Sequence, residues 1–122
     1  MRHALRRITA LALAGGLALA ATGASAHAHL VSATPTANAT VAAPQAIALK
    51  FSEKLEPKFS GVELMKANGD AIPVTSAVSP KDRTSMSATV KDKLAPGAYM
   101  VMWHVVSADG HRMKGDFNFT VK

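Results

Sequence analysis

The sequence predicts an all-β fold, a β-sandwich or small Greek-key barrel of about seven short strands. Three observations carry that expectation. Tyr99 to Val106 and Phe117 to Val121 alternate apolar and polar residues with a period of two, turn residues recur at short intervals, and no helical period lasts longer than one turn.

Taken in order, Leu30-Val31-Ser32-Ala33 reads as a first strand that ends at Thr34-Pro35, followed by a loop rich in Thr, Asn, Ala and Pro. Ile47 to Phe51 alternates as a half-buried strand should. Val62-Glu63-Leu64-Met65 leads into Asn68-Gly69-Asp70, a strong hairpin turn signal, and Ile72-Pro73-Val74 carries the chain onward in extended form. Ser79 to Ser87 is polar, and Met86 to Val90 is a strand that stops at Leu94-Ala95-Pro96-Gly97. In the clearest strand, Tyr99, Val101, Trp103 and Val105 face the core while Met100, Met102 and His104 point the other way. Phe117, Phe119 and Val121 repeat that period in the last strand.

The first 26 of the 122 residues stand apart. They hold Arg2, Arg6 and Arg7 with no acid, then an uncharged run of Ala, Leu and Gly from Ile8 to Ala21, and end in Ala24-Ser25-Ala26. This is the pattern of a secretory signal peptide, too short to span a bilayer, with cleavage expected after Ala26. Cleavage after Ala28 would also satisfy the small-x-small rule. Residues 27-122 then form one domain with 11 basic and 8 acidic side chains, a net charge of +3, too mild to point to nucleic acid. The chain has no cysteine, so an exported domain would be held by packing, and its available metal donors are His, Asp, Glu and the new amino terminus.

Three of the four histidines after the leader lie at the processed terminus or in Asp109-Gly110-His111. A terminal His27 offers its α-amine and its imidazole to one ion, and nitrogen-rich tetragonal sites favour Cu(II). Asp109 and His111, two residues apart, are able to point the same way from an extended segment, with Gly110 permitting a bend. Asp109 would ligate axially or orient the amine, and His111 would complete the equatorial set. By spacing alone Asp-Gly-His is also an ordinary surface turn. His27-Ala28-His29 offers a competing mode, an amino-terminal X-X-His chelate through the amine, two deprotonated amides and the His29 ring. It would take the backbone nitrogens of Ala28 and His29 from other hydrogen bonds.

These residues resemble the copper resistance protein C (CopC) family of periplasmic copper-binding proteins. The resemblance runs through His27-Ala28-His29-Leu30-Val31-Ser32-Ala33-Thr34-Pro35, Leu49-Lys50-Phe51-Ser52-Glu53, Gly97-Ala98-Tyr99 and Trp103-His104-Val105-Val106-Ser107-Ala108-Asp109-Gly110-His111. It implies an immunoglobulin-like Greek-key fold and one Cu(II) per chain, held by the amine and ring of His27 with Asp109 and His111. It also nominates Glu53 as a residue near the copper, against the plainer reading of an exposed acid paired with Lys54 or Lys50. Some members carry a second, Cu(I) site in a methionine-rich loop. Here no Met or His falls between Met65 and Met86, and Met100 and Met102 read as packing residues.

The function expected from this resemblance is copper trafficking, uptake or resistance by a monomeric periplasmic carrier. It would work beside an inner-membrane transporter of the CopD type and would itself be neither membrane-embedded nor an enzyme. Two other classes share some of these features. Oxidative polysaccharide-cleaving monooxygenases also use a terminal-histidine copper centre, but about 96 residues with few aromatics leave no broad aromatic substrate face. An exported interaction module with incidental histidines would need no metal at all.

Overall fold

The computed structural model describes residues 28-122. The 1-26 leader and His27 lie outside the described residues. Nine strands form two sheets: β1 (Leu30–Thr34), β2 (Thr40–Val41), β3 (Ala46–Phe51), β4 (Gly61–Lys66), β5 (Ala71–Ile72), β6 (Val74–Val78), β7 (Ser85–Val90), β8 (Gly97–Val106) and β9 (Arg112–Val121). The four-stranded sheet runs β1-β3-β7-β6 and the five-stranded sheet runs β2-β9-β8-β4-β5. The architecture is thus a sandwich of two sheets, not a closed barrel.

About seven strands were expected; the two additional ones are β2, which the sequence did not indicate, and the one gained where the extended piece Ile72-Pro73-Val74 divides into β5 and β6, with β2 and β5 each two residues long. A two-residue strand has no period to detect. Tertiary pairing creates both: β2 lies parallel to the end of β9, with Thr40 opposite Thr120, and β5 closes the hairpin predicted at Asn68-Gly69-Asp70, with Leu64 opposite Ile72. Pro73 separates β5 from β6 and places them in different sheets, because proline has no N–H to donate to a ladder. β9 begins five residues earlier than its apolar period suggested.

The core sits between the sheets, and the expected parity of β8 holds. Tyr99, Val101, Trp103 and Val105 are buried, whereas Met100 and Met102 are half-buried on the outer face and His104 is exposed there. The opposing sheet contributes Ile47, Leu49 and Phe51 from β3 and Met86, Ala88 and Val90 from β7. Phe51 meets Trp103 edge to face across the gap, with ring centroids 5.1 Å apart. Burial of each such large apolar side chain contributes about 1.5–3 kcal/mol. Gly115 faces Trp103 in the β8–β9 ladder, where a Cβ would come within 2.3 Å of the indole ring, so β9 leaves that inward position empty for the tryptophan. The Tyr99 hydroxyl donates to the Ala95 carbonyl at 2.6 Å and ties the Pro96-Gly97 turn to the strand that follows it.

Candidate metal centre

The site is built where the β8–β9 connection meets the segment after β3. These two long strands pair from Gly97 with Val121 to Val106 with Arg112, so the residues between Val106 and Arg112 must reverse the chain tightly. Gly110 does this at φ +89°, in the left-handed region that glycine enters at no steric cost. The Gly110 N–H donates to the Ser107 carbonyl at 2.8 Å and the Ser107 N–H donates to the His111 carbonyl at 2.9 Å. Asp109 and His111 therefore share a closed turn. The sequence reading placed them on an extended segment; the turn arises because two ten-residue strands in register leave only five residues to connect them.

The turn brings the two side chains together. His111 Nδ1 lies 2.8 Å from Asp109 Oδ2, with both side chains a little less than half exposed. The other carboxylate oxygen, Oδ1, accepts a hydrogen bond from the Ser107 hydroxyl and a long one, 3.3 Å, from the His111 N–H. These bonds favour the charged carboxylate and lower the Asp109 carboxyl from 3.8 to about 2, the Ser107 hydroxyl first and His111 second.

Ser107 is the residue that sequence reasoning missed. It is 1% exposed and is the one buried polar residue among those described. Its hydroxyl anchors Asp109, its N–H anchors the end of the turn, and it bridges to Leu55 in the segment after β3. A serine two positions before an aspartate at a strand end was the available signal, but only the packing of Leu55 against it reveals that it is buried.

The same segment, Ser52 to Leu55, also holds the start of the described chain. The His29 N–H donates to the Ser52 hydroxyl at 3.0 Å, and the Ser52 N–H donates to the His29 carbonyl at 2.9 Å. Ala28 is wholly buried in the core. Two residues along, the Lys54 carbonyl accepts the Ala108 N–H at 2.8 Å. One stretch of four residues thus holds both the chain start and the Asp109–His111 turn, although about 80 residues separate them in sequence.

The other sequence candidates are placed as follows. His29 is exposed, and its amide is committed to Ser52, so X-X-His chelation would require that bond to break. Glu53 is exposed beside this seam, and Lys50, one of its expected partners, instead lies 3.8 Å from Asp82. Among the described residues no group of three or more His, Asp or Glu side chains is placed to hold a metal, leaving Asp109 and His111 as a pair. On the outer face of the five-stranded sheet Met65 stands opposite Met100, and Met102 stands opposite Glu63.

Known proteins share this architecture. The CopC domain family matches residues 30–122 of the chain. The protein YobA of Escherichia coli (strain K12) is 46% identical over 99 residues, covering 80% of each chain. Copper resistance protein C of Escherichia coli is 42% identical over 118 residues, 90% of this chain and 94% of its own. The crystal structure of PcoC, a methionine-rich copper resistance protein from Escherichia coli, matches with a TM-score of 0.72 at 38% identity, covering 80% of this chain and 100% of that one. With a match that runs from the first strand to the last residue and the same fold in a relative of known structure, this chain belongs to the CopC family.

Proposed function

We propose that this protein is an exported copper carrier that acts in the periplasm after cleavage behind Ala26. It takes one Cu(II) through the α-amine and ring of His27 together with Asp109 and His111, with Glu53 close enough to assist. The observation that carries this reading is the 2.8 Å separation of His111 Nδ1 and Asp109 Oδ2. Two donors that each bind an ion at roughly 2.0–2.1 Å, at right angles to one another, lie about 2.8 Å apart, so the pair already spans one edge of a tetragonal site.

The surroundings support a carrier. Ser107 holds one oxygen of Asp109 and leaves the other turned toward His111, which fixes the orientation of both donors before a metal arrives. Buried Ala28 and the two His29–Ser52 hydrogen bonds hold the start of the described residues at the same seam. Both side chains are partly exposed, so the cargo can leave by ligand exchange to a membrane transporter of the CopD type or be withheld from it. Catalysis is not required for either role. Copper resistance is the property that the names of the relatives attach to this fold.

The test is a Cu(II) titration of the processed protein followed by electron paramagnetic resonance, beside a variant with one extra alanine before His27 and a His111→Ala variant. The expected result is one copper in a nitrogen-rich tetragonal site whose spectrum changes in both variants. A His111→Ala spectrum identical to wild type would place the metal in the X-X-His terminus instead, and no binding at all would leave an interaction module. Free imidazole titrates near 6.5 and an α-amine near 8, and both must lose a proton to bind. Copper affinity is therefore expected to fall as the pH drops below about 6.5, and constant affinity from pH 5 to 8 would exclude nitrogen ligation.

A further inference from the structure

A groove of about 550 Å³ lies beside the Ser107–His111 turn, between the short 3-10 turn Pro57–Phe59 and the ends of β8 and β9. Its volume falls within the range of sites that enclose an organic ligand and far exceeds the space taken by an ion. Lys58, Arg112 and Lys114 bring three positive charges to it, Phe59, Val106 and Met113 supply apolar wall, and no acidic side chain lines it. Phe59 stands 61% exposed, one of two large apolar side chains left so open among the described residues. The acids near it are partnered or stand apart: Glu56, just before the 3-10 turn, lies 3.6 Å from Arg83, Asp109 faces His111, and Glu63 and Asp116 flank Met102 further along the sheet. Positive charge is thus concentrated in the groove lining itself, next to the Ser107–His111 turn.

We infer that this groove docks an acidic segment of a partner protein, an extended stretch with an apolar side chain between carboxylates. Charge complementarity selects the occupant. The leader carries three arginines and no acid and is repelled, and a second copy of the processed chain, at a net charge of +3, is a poorer match than an acidic segment. An exposed aromatic beside arginine and lysine suits a protein interface, with the aromatic as anchor and the cations as a steering rim. Val106 and Arg112 line the groove and immediately flank the Ser107–His111 turn, so a segment seated there lies next to the cargo. The docking stands on the groove alone, whereas its use in handing over copper rests on the carrier reading above.

The probe is a fluorescein-labelled decapeptide of glutamates with two central leucines, titrated into the metal-free processed protein and followed by anisotropy. Saturable binding is expected, weakened about tenfold by Lys58→Glu combined with Lys114→Glu, and several-fold by Phe59→Ala. It should be almost unchanged in Lys91→Glu combined with Lys93→Glu, which removes the same charge elsewhere. Absence of saturable binding would overturn the inference, as would equal weakening by the two charge reversals or equal binding of an all-glutamate peptide. Tighter, Phe59-dependent binding to vesicles of phosphatidylglycerol and phosphatidylcholine would overturn it in favour of a membrane face. Copper titration of the Phe59→Ala variant separates the two readings: unchanged Cu(II) spectra with lost peptide binding locate the effect in the groove, and peptide binding by a protein that takes no copper upholds docking while refuting the carrier.

Discussion

Two turns of this molecule are built around an aspartate, and they differ in the partners that surround it. Asp82, between β6 and β7, accepts from the Thr84 hydroxyl at 2.6 Å, the Thr84 N–H at 3.1 Å and the Ser85 hydroxyl at 2.8 Å, with the Lys50 ammonium 3.8 Å away. Asp109, between β8 and β9, accepts from the Ser107 hydroxyl and faces the His111 ring at 2.8 Å. Both carboxyls are lowered to about 2, Asp82 chiefly by Thr84 and Asp109 chiefly by Ser107. Acidity therefore does not distinguish them. The partners do: Asp82 is surrounded by hydroxyls and a lysine that already provides a cation, whereas Asp109 faces an imidazole, whose ring nitrogens are metal donors. One aspartate closes a loop, and the other is the one that the proposed site would offer to a metal.

The strongest way to break this comparison is to remove each carboxylate in turn. Asp109→Ala is expected to weaken Cu(II) binding about 100-fold, while Asp82→Ala leaves Cu(II) affinity intact; both lower Tm, because each carboxylate accepts hydrogen bonds that hold its turn. Competition against a chelator of known affinity, with thermal melts of the metal-free proteins, reads both. If Asp82→Ala weakens copper as much as Asp109→Ala does, the two turns are not functionally distinct.

Ser107→Ala sharpens the comparison by leaving both proposed donors, Asp109 and His111, in place and removing only the support of Asp109. The expected effect is about tenfold weaker Cu(II) binding. Loss of this buried hydrogen bond should also lower stability by about 1 kcal/mol in denaturant unfolding. Wild-type affinity in this variant would show that the hydroxyl serves the fold alone.

The smallest effect concerns acid. A carboxyl lowered from 3.8 to about 2 on folding stabilises the protein fully above pH 4, and that contribution is lost as the pH falls from about 4 to about 2. Asp82→Asn should flatten the dependence of Tm on pH in this window and leave the part that belongs to Asp109. Its Lys50 contact is about half exposed and adds little. An unchanged slope would mean that Asp82 is not held as its hydrogen bonds imply.

Much of this was legible before any coordinates. The alternation of Tyr99, Val101, Trp103 and Val105 predicts their burial, since a strand shows every second residue to the core, and the structure agrees. Asn68-Gly69-Asp70 predicts a hairpin, and β4 and β5 form it. The start of β9 was hidden because its inward positions are Met113 and Gly115, and a glycine that makes room for Trp103 looks like an interruption of the period.

At the site the division is equally physical. Residue chemistry and local spacing nominate His27, Asp109 and His111, because nitrogen and carboxylate donors are properties of the side chains and two residues on one short connection cannot be far apart. No local rule states that Ser52 to Leu55 joins the chain start to the turn, that Ser107 is buried, or that Lys58, Phe59, Arg112 and Lys114 border one groove. Those relations follow from strand register between segments tens of residues apart, and register is decided when both sheets bury their inner faces together.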